Sequence, residues 1–211
     1  MAAQGHIVYG AARQVSAMDP LKAKGVKPIA LDVTNEESMK TAIETIIKNE
    51  GRIDVLVNNA GYGSYGAINV SSMGGRLTSY LGGWYHATKY AVEALSDALR
   101  METAEFGIDV SIIEPGGIKT DWGFIAADKL TESAKGGAYE KQATKAAEGM
   151  RKQYSGNMMS NPKIISRAIS KAINSRRPKT RYLIGFGAKP LVFLHTILPA
   201  RIFDMIMKNA S

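Results

Sequence analysis

Tyr85 and Lys89 stand four residues apart in "GGWYHATKYAVEAL" (82–95). Four residues is about one helical turn, so a phenol and an ammonium share one face. A phenol with a pKa near 10 is a poor proton shuttle at neutral pH. A nearby ammonium stabilises the phenolate and lowers that pKa. The pair is therefore a candidate acid/base device. Spacing alone does not establish it: with 9 Tyr and 17 Lys in 211 residues, random placement gives about 0.7 such pairs. The neighbours carry the argument. Ser72 lies 13 residues before Tyr85, at the end of an apolar strand. "NNAG" (58–61) ends a second strand and "PGGIKT" (115–120) a third. In an open parallel sheet, ligands bind beyond these strand ends. The polar features thus converge on one edge.

The elements that position them follow from periodicity. "HIVYGAAR" (6–13) and "KPIALDVT" (27–34) read as short strands. "NEESMKTAIETIIKNEG" carries Met39, Ala42, Ile43, Ile46 and Ile47 at helical period, with Asn35 or Thr34 as N-cap and Gly51 as terminator. "RIDVLVNNAG" (52–61) reads as a strand into a polar turn, and "INVSS" (68–72) as a strand end. A helix is expected over 84–106, burying Ala87, Tyr90, Ala91, Ala94, Leu95, Ala98 and Leu99. "IDVSIIEPGG" (108–117) is a strand closed by Pro-Gly, and "RYLIGFG" (181–187) a last strand. Residues 121–160 have a weak helical pattern, and 161–175 open with Asn and Pro as a helix does. "KPLVFLHTILPARIFDMIM" (189–207) is apolar but broken by His195, Pro199, Arg201 and Asp204, so it suits a helix pair at a subunit or lipid surface better than a membrane span. Alternating β and α units with fully apolar strands indicate an α/β fold with a mostly parallel sheet covered on both faces.

Composition narrows the chemistry. There are no cysteines, which excludes disulfides, thiolate metal sites and cysteine nucleophiles. His6, His86 and His195 are scattered, so no metal site is expected. The net charge of +8 is uneven. Residues 1–128 hold 11 basic and 15 acidic side chains, residues 129–211 hold 16 and 4. A basic half attracts anions or anionic lipid, although a solvated Lys-rich surface explains it as well. No nucleic-acid motif accompanies it, so no nucleic-acid partner is expected. "MAAQGHIVYG" has no leader pattern, and a cytoplasmic protein, with membrane association open to it through the tail, is expected.

"NNAG", "SS…YHATK" and "PGGIKT" together resemble the signature of the short-chain dehydrogenases/reductases, over about residues 5–123. The resemblance implies a doubly wound, Rossmann-like α/β domain spanning 1–211. Within it, 121–175 would be the substrate loop or lid and 189–211 an apolar basic tail. Reducing a ketone needs hydride on carbon and a proton on oxygen. By resemblance Tyr85 is the general acid or base, Lys89 acidifies it and holds the nicotinamide ribose, and Ser72 fixes the substrate oxygen. Ile118 (backbone) and Thr120 fall at the carboxamide, with Pro115 and Gly116 shaping that turn. Asn58, Ala60 and Gly61 fall beside the adenosine half, and Asp32 near the adenine. Arg13 follows the strand "VYGAA", where an Arg pairs with the 2′-phosphate of NADP and a carboxylate would hold the ribose of NAD, so NADP(H) is favoured over NAD(H).

Two departures from the family pattern stand out. No glycine-rich turn or strand precedes "MAAQGH", and Asn58 and Ser72 are only 14 apart, where the family carries a complete helix. The fold is therefore expected to be incomplete, with the first strand and one covering helix missing and sheet edges exposed. The expected function is NADP(H)-dependent interconversion of an alcohol and a carbonyl on a lipophilic substrate, in a homo-oligomer whose tail contacts membranes peripherally. The alternative is a cofactor-free remnant acting as a binding protein. His86, turned roughly 100° from Tyr85, is expected to make a packing or polar contact. Trp84, Tyr62, Tyr65 and Tyr80 fit a pocket or the core equally, and Met158 and Met159 a lid or filler.

Overall fold

A computed structural model describes residues 1–59 and 68–209. The chain divides into two compact units, Met1–Gly66 and Ala67–Ser211. In the first, β1 (Val8–Ala12) and β2 (Val26–Ala30) pair in parallel, from Val8 opposite Val26 to Ala12 opposite Ala30. A 3-10 turn (Val15–Met18) and the short α1 (Asp19–Lys22) connect them. α2 (Glu36–Glu50) follows, and Asn35, not Thr34, is its cap. Asn35 Oδ1 accepts the Ser38 N–H at 2.9 Å. At the other end Gly51 adopts φ 77°, and its N–H closes on the Ile47 carbonyl.

This unit has a thin core. Among its described residues, Met18 and Ala42 are the buried hydrophobics, while Ile43 and Ile47 on α2 are 52% and 42% exposed. The expected strand over 52–61 shrinks to β3 (Val57–Asn58) among the described residues. Ile53 and Leu56 stay exposed. An apolar run becomes a strand only where a neighbour completes the ladder.

The second unit carries the substantial core. β4 (Ile68–Val70), β5 (Ser111–Pro115) and β6 (Arg181–Ile184) lie side by side, all parallel. β5 is central, and Ile112, Ile113 and Glu114 are almost fully buried. Around them are α3 (Gly83–Glu102), α4 (Trp122–Ala134), α5 (Glu140–Ser155), α6 (Lys163–Ile173), α7 (Ala188–Ile197) and α8 (Ala200–Asn209). Asn161 Oδ1 accepts the Lys163 N–H at 2.9 Å, so Asn161 and Pro162 open α6 as expected. α7 and α8 are the expected helix pair. Their inner residues Val192 and Phe203 pack on Leu77. No helix among the described residues is long and apolar enough to cross a membrane.

α3 departs from the expected face. Ala87, Tyr90, Ala91, Ala94 and Leu95 are exposed, Ala98 and Leu99 half-buried, and the buried residues are His86, Glu93 and Ser96. The buried stripe is polar and lies well over a quarter-turn from the apolar one. Its partners explain the choice. Asn69 Nδ2 on β4 donates to Ser96 Oγ at 2.8 Å. Arg181 on β6 donates from Nε to Glu93 Oε2 at 3.2 Å, and the same Nε lies 3.3 Å from Glu114 Oε1 on β5. Its Nη2 reaches Asp97 at 2.6 Å, and Arg76 Nη1 reaches Glu114 Oε1 at 3.1 Å.

One guanidinium therefore compensates two buried carboxylates from different elements. Burial first, and then the Glu114 charge, push the Glu93 carboxyl up, while Ser71 and Arg181 pull it down. Removing one partner of such a group strands a buried charge and costs about 3–5 kcal/mol. Arg181→Met is expected to destabilise the chain by about that amount, read as a lowered urea midpoint. A change under about 1 kcal/mol, the range of an exposed ion pair, would show that the cluster does not hold α3 to the sheet.

Candidate active site

Ser72 sits just beyond β4, where it opens a 3-10 turn, Met73–Gly75, and its Oγ accepts the Gly74 N–H at 3.0 Å. The same hydroxyl donates to the Pro115 carbonyl at the end of β5, 3.3 Å away. Two parallel strand ends are thus joined by one hydroxyl. Tyr85 and Lys89 lie in the first two turns of α3, both half-buried. Tyr85 lies close to the turn that Ser72 opens: a Cβ on Gly74 would lie 2.9 Å from Tyr85 Cε1, and Ser72 is near enough to lower the phenol. Lys89 Nζ donates to the Val70 carbonyl, at the end of β4, at 3.4 Å. The structure therefore brings Ser72, Tyr85, Lys89 and Pro115 to the C-terminal edge of β4 and β5.

The electrostatics differ from the expectation. Burial pushes the Tyr85 phenol up, and Ser72 opposes that. Burial pushes the Lys89 ammonium down, and the Glu93 charge opposes that. The Lys89 ammonium is hydrogen-bonded to the Val70 carbonyl. The expected acidification of Tyr85 is corrected accordingly: desolvation outweighs everything else at the phenol.

Pro115, Gly116 and Ile118 form the expected turn. The Gly116 and Gly117 amides donate to Ile184 and Phe186, and Lys119 donates to Ser160. A Cβ on Gly116 would lie 2.4 Å from the Phe186 carbonyl oxygen, so only glycine fits. The Ile118 amide makes no backbone bond among the described residues, although Ile118 is buried. A buried, uncommitted peptide group suits a carboxamide, so the turn fits a nicotinamide. Thr120 is exposed, and its Oγ1 accepts the Trp122 N–H at the start of α4.

In the first unit Arg13 is exposed directly after β1. Asp32 follows β2; its carboxyl is held low by bonds from the Thr34 N–H and hydroxyl and by the Arg13 charge. An exposed guanidinium at a strand end fits a phosphate. Asn58 ends β3, half-buried. Ala60, Gly61, Tyr62 and Tyr65 lie outside the described residues.

Sequence reasoning missed an aromatic wall. Trp122 stacks at a tilt on Tyr85, with centroids 5.2 Å apart, and Tyr154 of α5 lies 6.2 Å from Trp122. Gly123 lets the Tyr154 ring approach, since a Cβ there would lie 2.3 Å from its Cγ. Trp122, two residues past the "PGGIKT" turn, was the available signal. Trp84 is 89% exposed and so does not belong to the core. Tyr80 takes the Lys208 ammonium over its ring. Met159 is buried and Met158 exposed. His86 makes polar contacts, as expected.

Comparisons with known proteins agree with this geometry. The family model described as short chain dehydrogenase matches residues 1–67 and 62–123. A probable short-chain type dehydrogenase/reductase VdlC of Helicobacter pylori is 28% identical, over 97% of this chain and 89% of its own length. A 3-ketodihydrosphingosine reductase of Bacteroides thetaiotaomicron is 30% identical, over 86% and 80%. The crystal structure of a short-chain dehydrogenase from Streptomyces avermitilis superposes with a TM-score of 0.72 at 28% identity, covering 92% of this chain and 84% of that one. The matched motifs, the parallel α/β architecture and these likenesses place the chain in the short-chain dehydrogenase family of oxidoreductases.

Proposed function

We propose that the chain is an NADP(H)-dependent oxidoreductase interconverting a secondary alcohol and a ketone or aldehyde on a lipophilic substrate. The observation that carries this reading is the gathering of Ser72, Tyr85 and Lys89 at one strand edge, with the Ser72 hydroxyl on the Pro115 carbonyl and the Lys89 ammonium on the Val70 carbonyl. The nicotinamide supplies or accepts the hydride. Tyr85, kept protonated by burial, gives its proton to the carbonyl oxygen in reduction and takes it back in oxidation. Ser72 holds that oxygen. Lys89 leaves the long bond to Val70 to hold the ribose hydroxyls and to favour the phenolate. Arg13 meets the 2′-phosphate, which is the support for NADP(H) over NAD(H). Asn58, Ala60, Gly61 and Asp32 serve the adenosine side, and Thr120 with the Ile118 amide serves the carboxamide.

Trp122, Tyr154 and Phe124 exclude water and offer apolar contact to the substrate. They belong to 121–175, the segment proposed as the lid. The relative named for 3-ketodihydrosphingosine supports a lipophilic substrate. A second reading, a cofactor-free member acting by binding alone, is favoured by the thin core of the first unit.

Two surfaces bear on partners. The exposed apolar stripe of α3, with Leu95 63% and Met101 66% exposed, supports a homo-oligomer. Phe193, Ile197, Ile202, Met205 and Ile206 are exposed on α7 and α8, beside Lys189, Arg201 and Lys208. Apolar side chains with a basic fringe suit the surface of an anionic bilayer.

Saturable NADPH binding, followed by nucleotide fluorescence, is expected, with NADH weaker and Arg13→Ala narrowing the difference. Failure to bind either nucleotide selects the cofactor-free reading. Substrate-dependent NADPH oxidation should fall at least about a hundredfold in Tyr85→Phe with circular dichroism unchanged, and undiminished turnover would remove Tyr85 from the mechanism. Sedimentation velocity should show a multimer that Leu95→Glu dissociates; a native monomer refutes the oligomer. Vesicles containing phosphatidylglycerol should co-sediment the native chain but not the Ile202→Glu/Ile206→Glu variant. Equal pelleting of the two would exclude α8 as the contact.

A further inference from the structure

His86 is buried in the first turn of α3, and three observations show that its surroundings are shaped to it. Its Nδ1 lies 2.8 Å from the Gly74 carbonyl. A carbonyl only accepts, so Nδ1 carries the hydrogen. Its Nε2 accepts the Ser79 N–H at 2.9 Å and lies 2.8 Å from the Ser79 hydroxyl. The ring is therefore the neutral Nδ1–H tautomer, with both nitrogens engaged by the segment that follows Ser72.

The second observation is a pair of glycines. A Cβ on Gly74 would lie 3.1 Å from His86 Nδ1 and 2.9 Å from Tyr85 Cε1. A Cβ on Gly82 would lie 2.7 Å from His86 Nε2. The backbone closes on the ring from both sides, and a side chain at either glycine would crowd it. The third is strain. Leu81 has φ 61°, the one positive φ at a non-glycine among the described residues. A bulky side chain rarely adopts this conformation. The strained turn brings Ser79 onto His86, while Arg76 and Leu77, just before it, are anchored to Glu114 and the α7–α8 core.

The bonds run in sequence. Ser79 donates to Nε2, Nδ1–H donates to the Gly74 carbonyl, and the Gly74 N–H donates to Ser72 Oγ. The imidazole edge also packs against the Tyr85 ring, centroids 5.4 Å apart. We propose that His86 is a positioning residue: through the Gly74 peptide it fixes the turn that carries Ser72, and so sets the Ser72 hydroxyl against the Tyr85 phenol. The inference rests on the proposed roles of Ser72 and Tyr85, and adds a residue that touches no substrate.

The test needs neither cofactor nor substrate. Tyr85 is titrated by NMR of chains carrying 13Cζ-labelled tyrosine, with its signal assigned from Tyr85→Phe. A Ser72 hydroxyl that turns from the Pro115 carbonyl to the phenolate lowers the phenol, so Ser72→Ala should move the titration to higher pH. His86→Phe, which keeps a ring but no polar atom, should move it in the same direction. The double variant should move it no further, because both act through one bond. A His86→Phe titration that matches the native one overturns the proposal, and so do additive shifts. Long-range 1H–15N NMR of the native chain should show the Nδ1–H tautomer, and an Nε2–H tautomer refutes the bond sequence even if His86→Phe does not fold. Gly82→Ala, which crowds Nε2, should reproduce the shift in part. Where turnover is measured, His86→Phe should lower kcat by up to about a hundredfold with little change in KM. Absent turnover together with the expected titrations sinks the oxidoreductase reading and leaves the positioning of Ser72 standing.

Discussion

Arg181 is the constraint on which the second unit depends. Glu114 is central on β5 and Glu93 is buried on α3, and neither carboxylate survives in an apolar interior without a cation. Arg181 reaches both from β6, and takes Asp97 with its other arm. That arrangement fixes which face of α3 meets the sheet. Once Glu93 faces inward, Lys89 one turn earlier and His86 two turns earlier must face inward too. Tyr85 follows, at the rim. The active-site geometry is thus a consequence of a charge cluster placed deeper along the same helix.

Such a cluster is a poor way to gain stability and a good way to fix register. Burying hydrophobic residues in its place would often be as stable. An apolar interface, however, tolerates a helix sliding or rotating to a similar packing. A guanidinium shared among three carboxylates accepts one geometry. Glu114 Oε2 remains without a hydrogen-bond partner, a cost consistent with selection for position.

Most of the strands and the caps were legible in the sequence because they are local. Asn35 and Gly51 bound α2 as their side-chain and backbone preferences dictate. Pro-Gly ends β5, and Asn161 opens α6. The buried face of α3 was not legible. Periodicity assigns the apolar stripe inward, and the helix instead buries a polar stripe whose partners come from β4, β5 and β6. Arg181 follows Glu93 by 88 residues, so no window of one helix contains the reason. The strand over 52–61 is shorter than its run, with β3 at Val57–Asn58 among the described residues, since a ladder depends on a neighbour and not on the run itself. Trp122 was visible as a residue but not as the cover on Tyr85, because that contact joins α4 to α3.

The state of Tyr85 and Lys89 follows from the same burial. Desolvation favours the neutral form of each, so it raises the phenol and lowers the amine. Glu93 works against the second shift from one turn away. Among the described residues the hydrogen bond of the Lys89 ammonium is to the Val70 carbonyl at 3.4 Å, a weak hold. A cofactor hydroxyl that replaces this carbonyl would bring the ammonium toward the phenol without moving α3.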